Sequence, residues 1–299
     1  MRSRVLRNSI SVILAVMLVF TVAYTSQNAK AAKKVTVYRP TKIISHSTDS
    51  NGKPLTTVTK YSYNKNGLLM KGLSDSEKTE FQRNSKGLVK NIKVYRYNKL
   101  SEMYNSTIKK GKVTKQKYYL FNEEDGKKEY QSVRNMKYHG NGNLAKIVST
   151  LKDGSVGYTA FFRKNGIRSK TVGNTWKYVY DKNGDYKYCS SKGKGKSSEN
   201  RKYSYKYNKR GDVVYTKETS ISKDEKGKIS KYVWIQKTSI KYDKHGNMIK
   251  KVYKAKYSNS KSYKYSAEYK YKSYKIDKRL VNEVNGKKNI RYMGEITSI

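Results

Sequence analysis

Cysteine is almost absent: Cys189 is the only one in 299 residues. No intramolecular disulfide can form, so packing and hydrogen bonds must hold the chain. Proline is nearly as scarce. Pro40 and Pro54 are the only two, which leaves turn-making to glycine, asparagine and aspartate. Histidine occurs three times, at His46, His139 and His245, without His-x3-His or Cys-x2-Cys spacing, so no metal site is assigned. Walker-type loops, Gly-x-Ser-x-Gly and His-Glu-x-x-His are all missing, and no catalytic residue or cofactor is assigned. Acidic residues number 22 against 67 basic ones. The adjacent pairs Glu123/Glu124 and Asp224/Glu225 lie in charged, turn-like stretches, not in the apolar pockets that acid–base chemistry needs. Helical periodicity is weak beyond residue 32.

The charge that is present is one-sided. Formal net charge is +45, and 13 of the basic residues are arginine, leaving 54 lysines. Lysine is a hydrated point charge, whereas arginine is a rigid fork for bidentate contacts. This balance favours diffuse attraction to polyanions over the reading of base edges.

The first residues read as a secretory leader. Arg2, Arg4 and Arg7 precede an apolar run from Ile10 to Tyr24, followed by the small–x–small site Ala29-Lys30-Ala31. The run is short for a spanning helix, so a signal peptide over 1–31 is expected rather than an uncleaved anchor. Cleavage would remove four basic residues and no acidic one, leaving 45 − 4 = +41. No stable transmembrane segment is expected to follow. The expected location is extracellular, in association with the cell wall.

What remains, 32–299, is rich in alternation. Tyrosine dominates the aromatics, with 30 Tyr against 5 Phe and 2 Trp. Tyr263, Tyr265, Ala267, Tyr269 and Tyr271 share one phase; Lys264, Ser266, Glu268 and Lys270 share the other. Tyr203, Tyr205 and Tyr207 repeat this, as do Tyr232, Trp234, Ile240 and Tyr242. Period two with aromatic and β-branched residues predicts half-buried antiparallel strands, Tyr inward and Lys outward. Asn51-Gly52, Asp125-Gly126, Asp153-Gly154, Asn165-Gly166, Asn183-Gly184 and Asn285-Gly286 predict hairpin turns. The expected fold is an all-β antiparallel meander of hairpins, a strongly twisted open sheet or partial barrel, in one β-repeat domain. The Ser/Gly/Lys stretch 188–200 is a candidate loop or lobe boundary.

One element recurs. An aromatic residue stands four positions before a glycine at Tyr63/Gly67, Tyr138/Gly142, Phe162/Gly166, Tyr180/Gly184, Tyr207/Gly211 and Tyr242/Gly246, with a worn copy at Arg83/Gly87. The segment Tyr242-Asp243-Lys244-His245-Gly246-Asn247-Met248 places a histidine among polar neighbours. Its copies put Asn or Arg where His245 stands, so a turn is expected there, not a site. These segments resemble the tyrosine–aspartate repeats of the Rhs family, best at Tyr242, Asp243, Gly246 and Asn247. The resemblance covers roughly 63–250 in patches of uneven spacing, and the family's C-terminal core motif is not found. It implies a secreted or surface β-repeat protein without catalysis of its own.

Two features then point to function. Lysines two apart along a strand stand roughly 7 Å from one another, near the phosphate spacing of an extended polyanion. Tyrosine stripes could stack sugars or bases. The candidate ligand-binding residues are Lys250, Lys251, Lys254, Lys256, Lys264, Lys270, Tyr263, Tyr265, Tyr269 and Tyr271. The expected partner is an anionic cell-wall polymer or acidic glycan, with extracellular nucleic acid as a variant. A secreted cationic, membrane-active toxin and a glycan hydrolase stand as alternatives.

Overall fold

A computed structural model describes residues 34–48, 53–193, 195, 197–258 and 263–277. The expected leader and the dipeptides at 51–52 and 285–286 lie outside the described residues. Every regular element that is described is a strand: β1 Lys34–Thr48, β2 Pro54–Tyr63, β3 Leu69–Leu73, β4 Glu77–Arg83, β5 Val89–Arg96, β6 Lys99–Lys109, β7 Lys112–Phe121, β8 Lys128–Tyr138 and β9 Leu144–Leu151. There follow β10 Val156–Phe162, β11 Arg168–Gly173, β12 Trp176–Tyr180, β13 Tyr186–Lys192, β14 Ser198–Tyr207, β15 Val213–Lys223, β16 Ile229–Tyr242, β17 Met248–Tyr257 and β18 Tyr263–Asp277. Each pairs antiparallel with the next in sequence, forming one 18-stranded sheet.

The all-β antiparallel meander is as expected, but the sheet is neither open nor partial. It closes, because β1 uses both of its edges: Lys42 to His46 pair with β2 on one side and with β18 on the other. Closure leaves no free edge to template aggregation. Pro40 cannot donate to the ladder. The β1–β18 register slips between Pro40 and Lys42, so the seam accommodates proline with a bulge.

The stretch 188–200 is not a boundary. β13 and β14 take most of it, pairing Tyr188 with Lys202 through Lys192 with Ser198, and only a short hairpin around Gly193 remains.

On a closed sheet one face converges and the other diverges. The converging face carries three apolar clusters. Val113, Met136, Leu144, Ile147, Ala160 and Phe162 pack with Leu88 from a neighbouring turn. Phe81, Val89, Ile92, Val94 and Tyr104 form the second, and Ile43, Met248, Ala267 and Tyr269 the third. Each fully buried Val, Leu, Ile, Phe or Met side chain contributes about 1.5–3 kcal/mol relative to exposure. Between them the same face is tyrosine: Tyr158, Trp176, Tyr178, Tyr186, Tyr203, Tyr205 and Tyr207 make ring-to-ring contacts at 5.0–6.5 Å. Serine and threonine fill the gaps, as at Ser149, Thr171, Thr216 and Ser220, all buried.

Candidate functional site

The recurring aromatic–glycine element builds one rim of the barrel. The hairpins β2–β3, β4–β5, β8–β9, β10–β11, β12–β13, β14–β15 and β16–β17 all turn at this rim with the same backbone geometry. The ladder slips one position just before Tyr63, Arg83, Tyr138, Phe162, Tyr180, Tyr207 and Tyr242. The next residue's amide then bonds a carbonyl four residues on, and the glycine amide bonds back to it, as in Asp243 N–H to Asn247 O and Gly246 N–H to Asp243 O. Glycine is needed because its φ is positive, from +65° at Gly67 to +88° at Gly142, with Gly184, Gly211 and Gly246 between.

An Asn or Asp after the strand-ending residue staples the loop. Oδ1 of Asn64, Asn84, Asp181, Asn208 and Asp243 accepts two backbone amides, two and four residues on. The staple keeps Asp243 ionised. Burial raises its pKa, but hydrogen bonds from Asn247 and His245 outweigh this and hold it below the usual carboxylate range.

The Asx staple is missing from the Gly142 turn, whose sequence lacks the Asp. The Gly142 amide does return to His139 O, at 2.9 Å, so the backbone turn is kept. The residue after Tyr138 is His139, however, and an imidazole there does not supply the two-amide staple. Asn141 Oδ1 accepts only the Asn143 amide, and the Asn141 and Asn143 side chains donate to Lys164 O in the next turn of the rim. Gly142 is therefore a turn residue whose loop keeps its backbone bonds and is braced on Lys164 O of the neighbouring turn in place of the two-amide staple. The Gly166 turn is similar: Arg163 stands at the staple position, and Asn165 accepts the Ile167 amide.

His245 gives the turn its backbone amide, but its ring lies outside the staple. Its ring stacks on Tyr38 at 4.5 Å, with Nδ1 3.2 Å from the Tyr38 hydroxyl. Nε2 of His139 lies 3.0 Å from Phe162 O. No three His, Cys, Asp or Glu side chains gather as a metal-ligand set among the described residues.

Adjacent turns are laced to one another. Tyr207 donates to Asp181 Oδ2 and Asp185 Oδ2, and Tyr242 donates to Asp212. Tyr63, Tyr138 and Tyr271 donate to the carbonyls of Pro40, Val113 and Met248. Burial and Asp212 push the Tyr242 phenol up to about 12.

Arginine is wholly committed to this architecture. Arg39, Arg83, Arg163 and Arg210 reach the carbonyls of Gly67, of Leu69 and Gly87, of Asp181 and Tyr180, and of Gly246. Arg96 pairs with Glu102, Arg134 with Gln116, Arg168 with the Tyr180 hydroxyl, and Arg201 with Glu199 and Glu218. The Glu199–Arg201–Glu218 group sits on the inner face beside Cys189. Burial pushes up both the Glu218 carboxyl and the Cys189 thiol, with Arg201 opposing. At Glu199, bonds from Arg201 and Ser220 outweigh burial and hold the carboxyl low. Sequence reasoning misses this trio, although Glu199 and Arg201 share the phase of Tyr203, which puts them inward.

The candidate residues separate onto two faces. Lys250, Lys254, Lys256, Lys264 and Lys270 point outward. Lys251 points inward, paired with Ile240 and Ala267, its Nζ 5.8 Å from the centre of the Tyr253 ring. Tyr263, Tyr265, Tyr269 and Tyr271 also face inward, Tyr269 buried within the third cluster. The sheet thus places the lysines and the tyrosines on opposite sides of one wall. Glu123 and Glu124 are exposed in the β7–β8 loop, and Asp224 caps the β15–β16 turn by accepting from Lys228 N–H.

No protein-family model matches the chain, and no curated protein matches it. Among solved structures it is similar to a porin-like protein from Bacteroides uniformis ATCC 8492, at 12% identity over 78% of this chain and 98% of that one, TM-score 0.37. A porin-like protein from Bacteroides vulgatus ATCC 8482 aligns at 15% identity, 78% and 98% coverage, TM-score 0.39. A structure titled TcdB2-TccC3-TEV aligns at 11% identity over 76% of this chain and 15% of that one, TM-score 0.27. What the barrel can do is read from its own two faces.

Proposed function

We propose that the chain is a secreted, non-enzymatic barrel with turns like tyrosine–aspartate repeats, held at the cell envelope by its outer lysine face. The partner is a polyanionic wall polymer or acidic glycan. One observation carries this reading. Every arginine of the described residues bonds within the protein, while lysines of neighbouring strands stand opposite one another on the outer face, as in Lys60–Lys42–Lys270. Like charges directly opposed across a sheet are destabilising, and an anion relieves them. Few acids offset them: Lys78–Glu80 at 3.1 Å and Lys250–Glu268 at 2.7 Å are partly exposed pairs, a kind worth about 0–1 kcal/mol each.

A closed barrel can in principle cross a membrane on its strands. A lysine facing hydrocarbon costs about 2–4 kcal/mol at the midplane. Adjacent strands here would add that cost strand after strand, so we take the outer face to be wet. The test changes Lys250, Lys254, Lys256, Lys264 and Lys270 to Gln together and measures sedimentation with purified envelopes. Loss of envelope binding supports the reading; wild-type binding by a folded variant rejects it.

A further inference from the structure

The outer face carries a continuous cationic rung. Lys237 of β16 pairs with Lys254 of β17, which pairs with Lys264 of β18. On the other side Lys237 pairs with Tyr215 of β15, and Tyr215 with Lys206 of β14. All four lysines are exposed, and Lys206 Nζ lies 5.7 Å over the Tyr215 ring. No acid stands in this rung. Four residues along the strands, beyond the uncharged Ser239–Val252–Ser266 row, the Lys241–Lys250 pair is followed directly by Glu268, which bonds Lys250. The sheet thus sets one acid against that lysine pair and none against the longer row.

The rung also has a direction. Lys206 is the last residue but one of β14, at the rim of the recurring turns, whereas Lys264 is the second residue of β18, at the opposite rim. Neighbouring strands lie about 4.8 Å apart, so the five positions cross the barrel wall obliquely over roughly 19 Å. A second row, Lys270–Lys42–Lys60, begins farther along β18 and ends at Leu73.

Resting on the envelope reading above, we propose that the Lys206–Tyr215–Lys237–Lys254–Lys264 rung seats a linear polyol-phosphate polymer. Ammonium groups bind phosphate as point charges without a required plane, which suits a flexible phosphodiester chain. A nucleic acid would gain from base stacking, and the rung offers no platform for it. Its one ring, Tyr215, has the Lys206 ammonium 5.7 Å over its face, and Tyr253, Tyr263 and Tyr265 of the same strands face inward. The rung therefore supplies four charges in a row and a single ring with a lysine over it, which suits a polymer with phosphates and no bases.

The probe is poly(glycerol phosphate) and the readout is affinity across a salt series, with melting curves confirming that variants fold. Lys237→Gln/Lys254→Gln/Lys264→Gln should weaken binding by about tenfold or more and flatten the log K against log salt slope by about two, as expected for three lost phosphate contacts. Lys117→Gln/Lys177→Gln/Lys202→Gln removes the same charge from exposed positions whose cross-strand partners are uncharged. It should change affinity less than about threefold. Equal losses in the two triples would overturn the rung as a seat while leaving diffuse retention standing. Single-stranded DNA of equal phosphate count binding about tenfold tighter would overturn the choice of a base-free polymer. Failure of the wild-type protein to bind the polymer at any salt would overturn the seat, and failure to sediment with purified envelopes as well would overturn the reading it rests on.

Discussion

Tyr242 donates its hydroxyl to the Asp212 carboxylate at 2.5 Å, across 30 residues of sequence. Asp212 lies in the β14–β15 turn and Tyr242 ends the strand that enters the β16–β17 turn, so the bond laces one hairpin to its neighbour. Asn208 Nδ2 donates to the same hydroxyl at 2.8 Å, and Arg210 lies 4.5 Å from the ring centre. The strand-ending tyrosine thus acts between copies, while the Asx after it staples its own loop.

Hydrogen bonds to charged groups contribute about 1.5–3 kcal/mol, so Tyr242→Phe should destabilise the barrel by roughly that amount. In a urea-unfolding double-mutant cycle with Asp212→Ala, the two losses should fall well short of additive. Strict additivity would show that the lacing bond contributes nothing.

Glycine at the turn apex is required for its backbone conformation. A Cβ at Gly211 would meet nothing within 4 Å, so Gly211→Ala isolates the cost of φ +83°. That cost should be about 1–2 kcal/mol. At Gly246 a Cβ would come 2.6 Å from Arg210 Nη1, the far end of a flexible side chain. Gly246→Ala should therefore cost little more than Gly211→Ala in the same denaturation assay. Gly173→Ala, whose Cβ would meet the Trp176 ring at 2.3 Å, should cost more than either.

Alkaline stability follows from the phenols. Burial pushes Tyr138 up to about 12, and burial with Asp212 does the same for Tyr242. Burial also raises Tyr61, Tyr63 and Tyr104. An unfolded tyrosine titrates near pH 10. Folded pKa values above the unfolded ones mean that this stability is fully present below about pH 10 and is lost as pH rises through 12. Tyrosinate absorbance should rise late and together with loss of strand circular dichroism. A smooth titration centred at pH 10 with the fold intact would contradict the buried phenols.

Adjacent lysines should differ. Lys254→Gln should reduce polyanion affinity, whereas Lys251→Gln, on the inner face over Tyr253, should leave it within about twofold in a salt-controlled titration. Equal effects would mean that charge acts without regard to face.

Much of this is legible in the sequence because its signals are local. Period two in 203–207 and 263–271 assigns the two faces correctly, and the aromatic–glycine spacing assigns the turns, Gly142 included. What spacing does not show is how each turn is held: at Gly142 the brace comes from Asn141 and Asn143 reaching Lys164 of another hairpin. Closure is not legible either. It depends on β1 pairing with a strand more than two hundred residues away and on a bulge at Pro40. The role of arginine is hidden for the same reason: Arg39 and Arg163 reach backbone carbonyls of neighbouring hairpins, which no sequence spacing encodes. Lys251 shows a different kind of miss. Grouping it with Lys250 overlooks that neighbours on a strand must take opposite faces, so only one of the two can join the outer row.

The central claim is that lysines on the outer face hold the protein at the envelope. Its most direct test is cosedimentation of the mature protein with purified envelopes from low to high salt, before and after anionic polymers are stripped. The account predicts binding that falls steeply with salt and disappears on stripping. Binding that survives both treatments would contradict it and shift attention to the inner tyrosine face.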